Sequence, residues 1–139
     1  MNDAIFWPMV AQVGIVVGVW IRLYFVRIGE MRAKRIPAQA VATTRAASQV
    51  LEDVGTADNF RNLFEVPVLF FAICLALAVT DLVTPIQLTL AWVFVVFRAA
   101  HSVIHTTYNT VKHRFTAYSI STVSVFVMWI VFAVALATR

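Results

Sequence analysis

Long apolar segments alternate with short polar ones along the chain, and this pattern predicts four membrane-spanning helices. Each apolar segment has about the 20 residues that a helix needs to cross roughly 30 Å of hydrocarbon. The predicted spans are residues 4–26, 59–80, 85–108 and 115–137. The predicted fold is therefore all-α and integral to the membrane: a four-transmembrane-helix bundle that forms a single domain over residues 1–139.

The one long polar stretch, residues 29–58, forms the predicted loop between the first two spans. Within it, residues 38–54 have the pattern of a surface helix, and Gly55 would end that helix. The second span contains Pro67, which has no backbone N–H and crowds the preceding turn of a helix. We therefore expect a local bend in the second span.

The composition agrees with a membrane protein: 61% of the residues are hydrophobic and 13% are charged. Soluble domains contain about 25% charged residues. The net charge of +4 comes from basic residues at helix ends, not from a patch that could bind nucleic acid, so no nucleic-acid partner is expected. The single cysteine, Cys74, excludes an internal disulfide and is expected to be a buried thiol.

Basic residues lie in the loops after the first and third spans, whereas the loop between the second and third spans has none. The positive-inside rule places both basic loops in the cytoplasm and both termini on the opposite side. The expected location is a bacterial inner membrane. No cleavable signal peptide is expected, because the first residues lack a basic segment.

Two groups of polar side chains interrupt the apolar spans: Arg61, Asn62 and Glu65 in the second, and Arg98, His101 and His105 in the third. An ionisable group inside a span is costly, roughly 3 kcal/mol for an arginine at the bilayer centre. Spacings of three or four residues put each group on one helix face. The topology brings both faces to a similar depth in the cytoplasmic half, where a pocket for a polar molecule is expected.

These residues also allow purely structural roles. Glu65 could form an ion pair with Arg98 across the second and third spans, because each is otherwise an unpaired charge at membrane depth. His101 and His105 could bond to backbone or hydroxyl groups. Two histidines four residues apart could also hold a metal ion, but no acidic residue completes a known pattern, so no metal site is predicted.

The pattern Arg61-Asn62-x-x-Glu65-x-Pro67, followed by Arg98-x-x-His101-x-x-x-His105, resembles the MAPEG family, the membrane-associated proteins in eicosanoid and glutathione metabolism. The resemblance implies a homotrimer of four-helix bundles that binds glutathione between neighbouring subunits. Such proteins often conjugate glutathione to a lipophilic molecule, or use it to isomerise or reduce one. Glutathione would then be a co-substrate, and the bilayer would deliver the lipophilic substrate.

The resemblance also implies roles for single residues. The implied glutathione-binding residues are Arg61, Asn62, Glu65, His101, His105 and Arg27. Arg22 is the alternative to Arg27 as the first-span arginine. Arg114 best matches the catalytic arginine of the family, and Lys112 is its rival. Two positions depart from the family pattern: His105 stands where many members have a tyrosine, and Asp58 where many have an arginine.

The chemistry of these side chains suits glutathione, since arginines bind carboxylates and Glu65 could bind the ammonium group. A cation close to the sulfur favours the thiolate, which is the nucleophile. Two functions remain open: a membrane glutathione-dependent transferase or peroxidase, and a non-catalytic accessory subunit of a membrane complex. The trio Arg61, Asn62 and Glu65 favours the first, and Asp58 favours the second. A thiol other than glutathione is also open.

Overall fold

The computed structural model describes residues 3–138. Met1, Asn2 and Arg139 lie outside the described residues. The prediction that both chain ends lie on the side opposite the cytoplasm concerns these residues. The described chain is helical throughout and has no strand. Its helices are α1 (Phe6–Ala33), α2 (Thr44–Val50), α3 (Gly55–Asn62), α4 (Val66–Thr80), α5 (Pro85–Thr106) and α6 (Val111–Ala137). Two short 3-10 turns, Asp3–Ile5 and Ala38–Val41, complete it.

Four helical stretches are long and apolar enough to cross a membrane: Asp3–Ala33, Gly55–Thr80, Pro85–Thr106 and Val111–Ala137. The four-helix transmembrane bundle predicted from the sequence is confirmed. The first stretch continues past residue 26 to Ala33, and the fourth begins before residue 115. Many large apolar side chains stay exposed on the outside of the bundle. Such a surface suits lipid, which is as apolar as the side chains it contacts.

The core lies between α4, α5 and α6, and α5 and α6 make the most extensive contact. Phe70 of α4 stacks on Phe94 of α5, with ring centroids 4.2 Å apart. Polar side chains also join the helices through backbone carbonyls. The Gln87 amide donates to the carbonyl of Met128 at 3.1 Å, and the Ser124 hydroxyl donates to that of Leu90 at 2.6 Å. Such bonds satisfy side chains that no water can reach.

Cys74 is fully buried in this core, as expected. The helix caps follow local sequence. Thr84 accepts a hydrogen bond from the backbone N–H of Gln87, and Pro85 occupies the first position of α5, where its missing N–H costs nothing. Asp81 ends α4 in the left-handed region, with φ 57°. These caps make the connection between α4 and α5 short and sharply turned.

The connection between α1 and α3 is held to α1 by Glu30. Its carboxylate accepts hydrogen bonds from the backbone N–H of Glu52 at 2.6 Å and of Asp53 at 3.4 Å. Lys34 completes the cluster by binding Glu30 at 2.8 Å and Glu52 at 2.7 Å. These two carboxylates raise the pKa of Lys34. Asp53 in turn accepts from the backbone N–H of Thr56 in the first turn of α3, so the cluster positions α3.

Of two local expectations, one was wrong and one was confirmed. Gly55 does not end a helix over residues 38–54; it begins α3, and the segment before it holds only a 3-10 turn and the short α2. The second span is interrupted in the turn that precedes Pro67, as expected. It breaks between Asn62 and Val66, and Pro67 lies in the first turn of α4. Proline is well tolerated there because the first N–H groups of a helix have no partner within it.

Candidate functional site

A cavity of about 400 Å³ opens at the end of the bundle where α1 and α5 finish. We call this the basic end, because the basic loops lie there. The cavity is lined by Asp58, Arg61, Asn62, Glu65, His101, His105, Val111, Arg114, Phe115 and Tyr118. Both polar groups singled out from the sequence therefore contribute to one cavity, with Arg114 beside them.

The break between α3 and α4 exposes the polar side chains of the second span to this cavity. Glu65 has φ −93° and ψ −98°, which is not helical, so the backbone turns at this residue. Arg61 and Glu65 are both exposed, and no ion pair within residues 3–138 involves either of them. Their charges are therefore available to a ligand.

Arg98 stabilises the helix break and contacts Tyr118, which lines the cavity. Its guanidinium is fully buried and donates to the backbone carbonyl of Asn62 at 2.7 Å. It also lies over the ring of Tyr118, with 5.5 Å from Cζ to the ring centroid. Residues 3–138 contain no direct ion pair between Arg98 and Glu65, although Glu65 lies within electrostatic range. The closest partners of Arg98 are thus the Asn62 carbonyl and the Tyr118 ring, and not the Glu65 carboxylate that was expected from the sequence.

His101 is fixed by the backbone of α6. Its Nδ1 lies 3.2 Å from the carbonyl oxygen of Arg114, and a carbonyl only accepts, so Nδ1 carries the proton. The neutral ring then leaves Nε2 as an acceptor. This atom is buried and has no hydrogen-bond partner among the described residues. The His101 ring packs edge-on to that of His105 at 5.5 Å, so two imidazoles form one wall of the cavity.

Close packing of α3 against α5 holds this wall beside the second span. The hydroxyl of Ser102 donates to the Asn59 side chain at 3.3 Å, and both residues are buried. A Cβ added at Gly55 would lie 3.0 Å from the carbonyl oxygen of His105. Only a glycine fits at this contact without a shift of one helix.

Arg114 projects from the first turn of α6, where its Nη1 donates to the Asn109 side chain at 2.7 Å. Asn109 adopts the left-handed conformation, with φ 48°, in the turn between α5 and α6. The turn thereby holds the Arg114 guanidinium at the cavity. Its rival Lys112 is exposed and does not line the cavity.

The two first-span arginines that were considered for glutathione binding lie elsewhere. Arg22 donates to the backbone carbonyl of Thr106 at 2.6 Å and so caps the end of α5. Arg27 does not line the main cavity. It lines a smaller cavity of about 100 Å³ together with Asp53 and Asp58, and its buried Nε has no partner among the described residues.

Sequence reasoning did not predict Tyr118 as part of the site. It lies four residues after Arg114 on α6, which is the spacing of neighbours on one helix face, so the signal was present. Val111 and Phe115 were also missed, because apolar residues near a membrane surface carry no distinguishing signal. No group of three His, Cys, Asp or Glu side chains that could hold a metal ion occurs within residues 3–138.

Fold and cavity together define a multi-pass membrane bundle with a charged, ligand-sized pocket at one end. Comparison with family models gives the family: the MAPEG model matches residues 5–134, and the chain belongs to the MAPEG family. The protein is therefore a membrane protein of the type that acts in eicosanoid and glutathione metabolism. Neither curated proteins nor solved structures give a significant match to the chain.

Proposed function

We propose that this protein is a membrane glutathione-dependent transferase or peroxidase that acts on a lipophilic substrate. One observation carries the proposal: a single cavity collects the side chains that a thiol tripeptide requires. Arg61 supplies a cation for a carboxylate, Glu65 supplies a carboxylate for the ammonium group, and Asn62 can donate to and accept from peptide groups.

Arg114 is proposed as the group that stabilises the thiolate. Its guanidinium stays protonated at any physiological pH, so it can offset the sulfur charge without exchanging a proton. The thiolate can then attack an electrophilic carbon and displace its leaving group. Alternatively it attacks the outer oxygen of a hydroperoxide, which breaks the O–O bond, releases the alcohol after protonation and leaves a sulfenic acid; a second glutathione converts this to the disulfide and water. Val111 and Phe115 line the same cavity and are 63% and 67% exposed, which supports access for an apolar substrate from the lipid side.

The proposed orientation puts the cavity on the cytoplasmic side, where glutathione is available, and both termini on the opposite side of a bacterial inner membrane. The basic loops support this orientation. A cysteine introduced at position 34 should react with an impermeant thiol probe only from the cytoplasmic side. Labelling from the outside alone would overturn the orientation.

Glutathione binding to detergent-purified protein, with ultraviolet thiolate absorbance, tests the function. Glu65→Gln should weaken binding about ten- to a hundredfold, because a charge-assisted hydrogen bond is worth roughly 1.5–3 kcal/mol. Arg114→Leu should keep most of the binding but reduce the thiolate about tenfold, the effect of a pKa change of about one unit. Lys112→Leu is the control and should change neither signal, since Lys112 lies outside the cavity.

Other results would redirect the proposal. If Arg114→Leu keeps the thiolate signal and Lys112→Leu removes it, the catalytic cation is Lys112. If the wild-type protein binds no glutathione at millimolar concentration, the second candidate function stands: a non-catalytic subunit on the same scaffold. One observation favours that candidate, because Arg98 and His101 already use hydrogen bonds to hold the bundle together.

A further inference from the structure

The charges that line the cavity do not match free glutathione. The fixed charges are two guanidinium groups, of Arg61 and Arg114, and two carboxylates, of Asp58 and Glu65. Free glutathione brings two carboxylates and one ammonium. The two arginines can match its carboxylates and Glu65 can match its ammonium, but Asp58 then has no counter-charge among the guanidinium groups that one chain contributes to the cavity lining. If Arg114 serves the sulfur, the shortage of cations is larger still.

The position of Asp58 shows which end of the ligand it would meet. Asp58 lies in the first turn of α3, close to the basic loop, while Glu65 lies seven residues further on, at the start of the apolar α4. At 1.5 Å per residue, Asp58 and Asn62 are about 6 Å apart along α3, and Glu65 lies beyond the break that follows Asn62. An extended tripeptide measures about 10 Å, which is long enough to extend past the part of α3 between Asn62 and Asp58. With its ammonium at Glu65, the ligand would place its glycine end at Asp58.

Asp58 is exposed, and no ion pair among residues 3–138 satisfies it. Two structural roles compete with a ligand role. Arg27 lines a small neighbouring cavity together with Asp58 and could neutralise it, either within one chain or from a second copy. An acidic side chain in the first turn of a helix is also favoured by the helix dipole.

We propose that Asp58 is a specificity-determining residue, which makes the site select a thiol peptide whose glycine end carries an amide or an amine instead of a free carboxylate. This inference rests on the proposed function. A carboxylate at Asp58 repels a second carboxylate, accepts a hydrogen bond from an amide and attracts an ammonium group. The ligand class is therefore a thiol tripeptide that is amidated, or joined to a short diamine, at its glycine carboxylate.

The test compares three ligands on detergent-purified full-length protein: glutathione, its glycine amide, and glutathione amide-linked to a short diamine. Titration calorimetry should show affinities that rise in this order. Each step should be about threefold, since an exposed charge pair changes binding by roughly 0.2–1 kcal/mol. Asp58→Asn should abolish the preference, and Asp58→Arg should reverse it by binding free glutathione tightest.

Asp3→Asn is the matched control, because it removes another exposed carboxylate, at the start of the first membrane-spanning stretch, that does not line the cavity. It should leave the order of the three ligands unchanged. If Asp58 serves only the helix or Arg27, then Asp58→Asn lowers thermal stability but leaves the ligand order intact, and Arg27→Gln gives the same loss. That result overturns the inference.

The remaining outcomes separate the inference from the proposed function. If wild-type protein binds free glutathione at least as tightly as the two modified ligands, the inference is wrong while the glutathione function stands. If none of the three thiols binds at millimolar concentration, both are wrong.

Discussion

At the scale of single residues, the buried side chain of Arg98 explains how the bundle tolerates a broken helix. At the break between α3 and α4 the Asn62 carbonyl accepts only a long backbone hydrogen bond, from the Glu65 N–H at 3.4 Å, and Arg98 supplies a second, shorter one at 2.7 Å. An unsatisfied carbonyl in an apolar interior costs about 1–3 kcal/mol. The buried charge of Arg98 still requires compensation, which Glu65 can give from a longer distance.

We therefore predict that Glu65 and Arg98 are energetically coupled. In Glu65→Gln, Arg98 loses a carboxylate that compensates its buried charge from a distance, so stability should fall by up to about 1 kcal/mol, because Glu65 is exposed and makes no direct ion pair. In an Arg98→Met background the same Glu65→Gln change should cost much less. The free energy of unfolding in mixed detergent micelles is measured for the wild type, the two single variants and the double variant.

A matched control for this cycle is Glu52→Gln, which should cost the same in both backgrounds because Glu52 contacts neither residue. Additive losses for Glu65→Gln and Arg98→Met would contradict the coupling. Arg98 would then act through Asn62 and Tyr118 alone.

At the scale of helices, the shape of the cavity depends on how closely α3 approaches α5. Gly55 marks the closest point, since an added Cβ would lie 3.0 Å from a backbone oxygen of His105. A backbone atom cannot rotate away as a side chain can. Any larger residue at this position must therefore move α3, which carries Asp58 and Arg61.

We predict that Gly55→Ala destabilises the protein by about 1 kcal/mol, as overpacking does, and weakens glutathione binding at the same time. Gly29→Ala is the control. It has no atom within 4 Å of the added Cβ and should be neutral, or stabilising by up to about 1 kcal/mol through helix propensity. Thermal unfolding measures the change in stability, and titration calorimetry measures the change in glutathione binding.

If Gly55→Ala and Gly29→Ala had the same stability and the same affinity for glutathione, α3 would have room to move. The site would then not depend on the contact between Gly55 and His105.

At the scale of the whole molecule, α1 has an open face. Gly14 and Gly18 share one side of this helix, and a Cβ at either position meets nothing within 4 Å. Small residues four apart let another transmembrane helix approach closely. This open face supports the homotrimer that the family resemblance implies, in which a neighbouring subunit would pack against α1.

We predict that native mass spectrometry in detergent shows three chains, and that Gly18→Leu shifts the population toward monomer by filling the open face. Val79→Leu is a suitable control, because Val79 is 84% exposed and lies on α4 instead of α1. A protein that is strictly monomeric at micromolar concentration would contradict both the trimer and a site shared between subunits.

The sequence by itself predicted the four-helix membrane bundle, the family resemblance and most residues that the structure brings together in the cavity. These properties are local: hydropathy over about 20 residues predicts a span, and spacings of three or four residues predict which side chains share a face. For the same reason the sequence identified Arg61, Glu65 and His101 before any contact was known.

Only the tertiary structure decided which of these residues act together. It placed Asp58 and Tyr118 in the cavity and Lys112 and Arg27 outside it. It also gave Arg98 a carbonyl 36 residues away in place of the expected carboxylate. The reason is that these contacts depend on the distance and rotation between helices far apart in the chain. Packing of the whole bundle sets those quantities, and no local pattern of residues records them.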